Sequence, residues 1–312
     1  MPPRTNNSKT PGIKPIHFAG LILMASLTAL CFPLISIGLT SAPPLAFSAL
    51  RAVLSGLAML LPAFVLRRPM PAGRGTWLRL AAAGIGATSF GFIGMFLAAE
   101  IVSPGIATVL SNTQPLMAAG MAFFFLGERL GQRRSLGLFL AFIGILFLAA
   151  PGFGGGAQST NASGYGLIFM AAIGVAAGNI FLKQLAGKVD ELMGIGWQFL
   201  FGAVPLFLAS QFFESSLNID WSFQFSFVLL ILSLLGTALP FILWFTFLRH
   251  YELNRINTFT FLTSAFGLLL GALFFGETFG PLEIAGIALV SIGIVRVSQP
   301  APLRLEQTEG SR

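Results

Sequence analysis

The positions of the basic residues constrain this chain more than any other feature. Ten long apolar segments run at about 17–38, 45–66, 77–99, 103–126, 135–151, 164–185, 192–213, 224–248, 254–275 and 281–298. Of the 18 Lys and Arg residues, 17 fall in the two tails and in every second gap or at its edges. They are Arg4, Lys9 and Lys14; Arg67, Arg68, Arg74 and Arg79; Arg129, Arg133 and Arg134; Lys183 and Lys188; Arg249 and Arg255; and Arg296, Arg304 and Arg312. The intervening gaps contain none, and the remaining cation, Arg51, lies inside the second segment. Cytoplasmic loops of membrane proteins carry this excess of Lys and Arg. The pattern predicts ten crossings with both termini in the cytoplasm.

Only 9% of the residues are charged and 55% are hydrophobic, whereas a soluble domain carries about a quarter charged residues. Segments of about twenty apolar residues match a hydrocarbon core about 30 Å thick. No segment alternates apolar and polar residues, as barrel strands do. The expected fold is therefore an all-α membrane protein. The net charge of +7 reflects topology: the base-free gaps hold Glu100, Glu214, Asp220, Glu277 and Glu283. The bases are spread over six short stretches, which gives no patch for nucleic acid. The partners expected are a lipid bilayer and a small solute, with monomer or homodimer left open. The single cysteine, Cys31, excludes an internal disulfide framework and a cysteine-based zinc site, and reads as an apolar filler. The first segment is too long for a signal-peptide core and is expected to be retained. No His/Glu cluster suggests a metal. No Gly-rich Lys-Ser/Thr loop suggests ATP, and no cofactor is expected.

The chain is written twice. Gly20-Leu21-Ile22-Leu23-Met24-Ala25-Ser26 returns as Gly166-Leu167-Ile168-Phe169-Met170-Ala171-Ala172, and Phe125-Leu126-Gly127-Glu128 as Phe274-Phe275-Gly276-Glu277. The expected domains are a tail at 1–16, a five-helix repeat at 17–151, an external linker at 152–163, a second repeat at 164–298 and a tail at 299–312. Five is odd, so the second copy starts on the opposite face. Inverted repeats of this kind characterise secondary transporters, and two such halves are expected to enclose a central cavity.

The fourth and ninth segments carry the densest intramembrane polarity. The fourth presents Thr108, Ser111, Asn112, Gln114 and Pro115; the ninth presents Asn257, Thr260 and Ser264, followed by Gly267 and Gly271. Pro115 has no amide hydrogen, so the Ser111 carbonyl loses its helical partner. That leaves neutral hydrogen-bonding groups near the midplane, where such transporters hold substrate. The alternative is that these groups bond neighbouring helices. Arg51 lies about 9 Å below the outer end of its helix at 1.5 Å per residue. It either meets a substrate carboxylate or snorkels outward to Glu100 or a headgroup. Its repeat partner at an offset of 146 is Trp197, followed by Gln198. Trp197, Gln198, Trp244 and Asn179 complete the candidate substrate contacts. Glu128 and Glu277 read as structural turns, their carboxylates suited to the start of the next helix. No Asp or Glu lies deep in a segment, so neutral, zwitterionic or anionic solutes fit better than cations.

These elements resemble the EamA family of the drug/metabolite transporter superfamily. The resemblance covers about residues 17–298. It rests on the ten-helix layout, Arg51 early in the second helix, and the run from Ser103 through Pro115 to Gly127-Glu128-Arg129-Leu130. Gly137, Gly144-Ile145, Gly276-Glu277 and the stretch from Gly286 to Gly293 also match. It implies a bundle whose cavity is lined by helices 1, 3, 4, 6, 8 and 9. It also implies alternating access and, often, export of amino acids or other small metabolites. Many relatives carry a proline where this chain has Ser264, and the first-helix glutamate of the small multidrug exporters is absent. The reading is a non-enzymatic transporter of the bacterial inner membrane, most simply an exporter. Uptake or exchange, and a membrane enzyme acting on lipid-linked substrates, are the alternatives.

Overall fold

The computed structural model describes residues 15–114, 117, 132–153, 162–185, 187–214, 218–248 and 260–298. They form helices α1 (Pro15–Gly38), α2 (Pro44–Val65), α3 (Arg74–Ala99), α4 (Pro104–Ser111), α5 (Gln132–Phe153), α6 (Ala162–Leu185), α7 (Glu191–Phe213), α8 (223–248), α9 (Thr260–Phe275) and α10 (Pro281–Ser298), with no strand among the described residues. Six of them, α1, α2, α3, α6, α7 and α8, are long and apolar enough to cross a membrane. Their outward faces carry large apolar side chains such as Leu61, Phe90, Ile173, Phe207 and Phe227. That is the surface a bilayer demands.

Three helices depart from regular geometry. α1 breaks at Leu30, three residues before Pro33. Proline removes an amide and crowds the preceding turn. α3 and α8 each contain a widened π turn, at Gly84–Phe90 and Leu234–Ala238. Such turns are rare and often mark functional sites.

The helices pack in antiparallel pairs across the two halves. α2 lies against α7, α4 against α9, and α5 against α10. Glycines permit the closest approaches. A Cβ on Gly144 would lie 2.7 Å from both the Gly286 carbonyl oxygen and the Val290 nitrogen. One on Gly293 would lie 2.6 Å from the Gly137 oxygen and 2.8 Å from the Ala141 nitrogen. The two sets of partners are related by the same shift of 149 residues. The main core is aromatic. Phe47 meets Phe96 edge-on at 5.0 Å and Phe225 at 5.2 Å, and all three rings are buried.

Among the described residues, the base-free gaps around 39–44, 100–103 and 214–222 gather at one end of the bundle. The Asp220 amide donates to the Ser41 carbonyl at 2.8 Å. A shallow depression of about 580 Å³ there is bordered by Thr40, Ser41, Pro43, Glu100 and Asp220. At the other end Arg68 pairs with Asp190 at 3.8 Å.

Candidate functional site

Arg51 points into the bundle and is 3% exposed. It reaches neither Glu100 nor the surface, so the snorkelling alternative does not hold. Its Nε and Nη2 both donate to Thr237 Oγ1, at 3.1 and 3.0 Å, and Nη2 also donates to Cys31 Sγ at 3.3 Å. The guanidinium carbon stands 4.5 Å above the Phe92 ring centre, a cation–π distance. Nη1 is buried and has no hydrogen-bond partner among the described residues. Among the described residues no carboxylate forms an ion pair with it.

The helical irregularities explain this geometry. Cys31 follows the break in α1 and donates its thiol to the Gly236 carbonyl at 3.2 Å. Thr237 sits in the π turn of α8 and donates to the Leu232 carbonyl five residues back, at 3.0 Å. Its hydroxyl proton is thereby committed, which leaves its lone pairs for Arg51. Cys31 is thus more than an apolar filler, since it accepts from a guanidinium.

A second polar contact repeats the first. On α7, Gln198 Nε2 donates to Thr88 Oγ1 at 3.2 Å, and Thr88 lies in the π turn of α3. Gln198 is 2% exposed and its Oε1 has no partner among the described residues. Gln198 stands 147 residues after Arg51, and Thr237 stands 149 after Thr88. The counterpart of Arg51 is therefore Gln198 and not Trp197, one residue off the expected register. One turn further along, Ser55 Oγ donates to the Ser233 carbonyl at 3.3 Å, and Ser89 Oγ to the Gly202 carbonyl at 2.8 Å.

The polar faces of α4 and α9 meet each other. Asn112 Nδ2 donates to Ser264 Oγ at 3.1 Å and to the Thr108 carbonyl at 2.8 Å, and Ser111 Oγ donates to the Thr108 carbonyl at 2.9 Å. A Cβ on Gly267 would lie 2.5 Å from Thr108 Cβ. Ser264 is buried and Gln114 half-buried. In this conformation the two faces bond each other through Asn112 and Ser264. Regular helix ends at Ser111 and passes into a turn at Asn112 and Thr113, just ahead of Pro115. Pro115 and Glu128 lie outside the described residues, as does the side chain of Thr260.

The remaining candidates are scattered. Trp197 packs edge-on against Trp77 at 5.2 Å. Trp244 is half-buried beside Leu21, Met24 and Phe247. Asn179 is exposed on α6. None of the three adjoins Arg51 in the contacts described.

Two carboxylates act as helix caps across the halves. Glu214, past the end of α7, accepts from the Leu45 amide and, at 3.0 Å, from the Ala46 amide at the start of α2. Glu277 accepts from the Gly105 amide at 2.9 Å and the Ser103 hydroxyl at 3.0 Å at the start of α4. Glu277 therefore caps α4 and not the helix that follows it; that start is served by Glu283, which accepts from the Gly280 amide. Burial pushes the Glu277 carboxyl above the usual carboxylate range, Glu283 adds to the rise, and the Gly105 and Ser103 donors oppose it. Burial likewise raises Glu214 and Glu100.

Comparison with known proteins places this architecture. The EamA-like transporter family matches twice, over residues 16–150 and 162–299. A probable amino-acid metabolite efflux pump of Salmonella typhimurium is 30% identical over 88% of this chain and 91% of its own length. A WAT1-related chloroplastic protein of Arabidopsis thaliana is 31% identical over 82% of this chain, which spans 63% of that protein. A crystal structure superposes with a TM-score of 0.58 over 90% of this chain and 94% of that one, at 20% identity, and shares the fold. The Salmonella relative is thus named as an efflux pump. With two copies of the family unit covering nearly all of its length, this chain belongs to the EamA-like transporter family as a multi-pass membrane transporter.

Proposed function

We propose that the protein exports small amino-acid-type metabolites, neutral or zwitterionic, across the bacterial inner membrane by alternating access. Ten transmembrane helices form two inverted repeats, 17–151 and 164–298, around a central solute path, with both termini cytoplasmic. The observation that carries this reading is the mirrored pair of crossings, Arg51 to Thr237 and Gln198 to Thr88. Each half sends its second helix to the widened turn of the other half's third helix. Two halves joined by like contacts can exchange conformations, which turns one open face into the other.

Export of amino-acid metabolites is favoured by the Salmonella relative, by a similarly named Escherichia coli pump at 27% identity, and by the absence of a deep acid to balance a cation. The carboxylate caps supply a closed state. Glu214 and Glu277 of the second half seal onto helix starts of the first at one end, which the charge pattern makes the outer one. Opening that end requires both caps to release. Asn112, Ser111, Gln114, Pro115, Thr260 and Ser264 then separate to line the path, and Asn179, Trp197, Gln198 and Trp244 flank it.

Counterflow in proteoliposomes tests the reading. Unlabelled amino acids and related metabolites are loaded one class at a time, and entry of labelled solute is followed. Saturable counterflow for amino-acid-type solutes is expected. Its absence across the panel, with correctly inserted protein, overturns the substrate assignment. Efflux from loaded cells fixes the direction.

A further inference from the structure

We infer that Thr237 is a positioning residue that holds Arg51 for the carboxylate of the transported solute, with Cys31 as a weak placeholder on the edge that the carboxylate takes. The inference rests on the reading above as a transporter of amino-acid-type solutes. A guanidinium carries five N–H donors in a rigid plane. The Nε–Nη2 edge is closed by Thr237, which bonds both nitrogens. Among the described residues, the other edge, Nη1–Nη2, has only the Cys31 sulfur on Nη2 and nothing on Nη1. Sulfur is a poor acceptor, and carboxylates prefer the two-pronged edge of arginine. A buried cation without a counter-charge is costly, and the Phe92 face 4.5 Å away offsets only part of that. The closed bundle thus keeps a charged group that lacks the anion its open edge would accept.

Thr237 suits the positioning role. Its hydroxyl proton is tied to Leu232 across the π turn, so its oxygen faces Arg51 as a fixed acceptor. Movement of that turn carries the guanidinium with it. On the equivalent crossing, Gln198 is neutral. The two halves therefore differ in charge at matched positions, and only the Arg51 side selects an anion. A carboxylate arriving from the solute path displaces Cys31 and pairs with Nη1 and Nη2, while Thr237 keeps the opposite edge.

Counterflow of a labelled amino acid, competed by the unlabelled amino acid or its carboxamide, tests this in wild type, Thr237→Val, Thr237→Ser and Arg51→Lys. In wild type the carboxamide is expected to compete at least a hundredfold more weakly. Thr237→Val is expected to raise KM about tenfold at nearly constant Vmax and to narrow that discrimination. Thr237→Ser, which restores the hydroxyl, returns both to near wild type. Arg51→Lys, a point charge without the forked edge, loses the discrimination. A Thr237→Val protein with lowered stability and Vmax but unchanged KM and discrimination overturns the inference, because Thr237 is then only a structural tie. If Thr237→Val does not insert, Thr237→Ser and Arg51→Lys decide alone: retained discrimination in Arg51→Lys overturns it. Wild type that moves the carboxamide equally well overturns the inference and leaves transport standing. Wild type that moves none of the panel overturns the substrate reading and the inference together.

Discussion

Arg51 and Gln198 occupy matched places 147 residues apart, and each donates to the threonine of a π turn in the opposite half. One is a cation and the other a neutral amide. The framework is thus shared between the halves, while the chemistry at its centre is not.

That asymmetry separates stability from activity. Arg51→Met removes a buried, uncompensated charge and replaces it with apolar volume. Removing a buried, unpaired charge spares its desolvation cost, so such a replacement is not expected to destabilise. We expect the apparent unfolding temperature in detergent to hold or rise while the counterflow rate per inserted molecule falls at least tenfold. A variant with wild-type counterflow removes Arg51 from the mechanism.

Gln198→Leu deletes one interhelical hydrogen bond without changing charge. Bonds of this type inside membranes contribute about 0.6–1.7 kcal/mol. A fall in thermal stability of that order is expected, from a looser contact between α3 and α7. No loss would mean that Gln198 and Thr88 do not join the two helices.

The α5–α10 contact is a matched pair of close approaches. Gly144→Ala and Gly293→Ala each push a methyl against backbone, and overpacking costs about 1–3 kcal/mol. Because the surroundings match at a shift of 149 residues, the two variants are expected to lose similar stability in thermal unfolding. Very unequal losses would show that the two approaches are not equivalent.

Glu277 links stability to pH. Its carboxyl is raised above the ordinary value of 4.5, chiefly by burial. The stability it contributes is fully present below that ordinary value and is lost as pH rises through the raised one. Glu277→Gln does not titrate and keeps an acceptor for Gly105. The difference in unfolding temperature between wild type and Glu277→Gln should therefore change with pH just above 4.5 and become constant on either side. A difference that is flat throughout would place the carboxyl in the ordinary range.

Topology is open to thiol labelling, because the native Cys31 is buried. Thr40→Cys, beside the depression bordered by Glu100 and Asp220, should react with an impermeant reagent in intact cells if the proposed orientation holds. Ala72→Cys, in the exposed turn before α3, should react only after permeabilisation. The reverse pattern would invert the orientation.

The sequence was most legible where the bilayer dictates the answer. Length and hydropathy pointed to an all-helical membrane protein, in which six helices are long and apolar enough to cross, and the repeated segments pointed to the duplication that the two family matches share. Arg51 stood out because a charge in an apolar segment is rare. Thr237 and Thr88 did not, because threonine is common in membrane helices and a π turn leaves no periodic trace. A glycine one or two residues ahead of each, in Gly86-Ala87-Thr88 and Gly236-Thr237, was the available signal. The slip from Trp197 to Gln198 reflects a one-residue difference between the halves ahead of these positions, since the offset is 146 at Gly20 and Gly166 and 147 at Arg51 and Gln198. Glu277 was read as suiting the start of the helix that follows it, and its carboxylate instead meets Ser103 and Gly105. Its target, α4, was invisible because the two are joined by tertiary packing.

The borrowed caps bear on how the protein is made. Leu45 waits for a carboxylate 169 residues downstream, and Gly105 for one 172 residues downstream. Synthesis proceeds at about 5–20 residues per second, so each helix start stands unfinished for on the order of 10–30 s. Over that interval the first half sits in the bilayer with bare amides at one rim, served only by water and lipid headgroups. It becomes a finished object only when the second half has emerged from the ribosome. Translation order is thereby written into the architecture, and a ribosome stalled midway leaves an incomplete half that quality-control proteases can recognise.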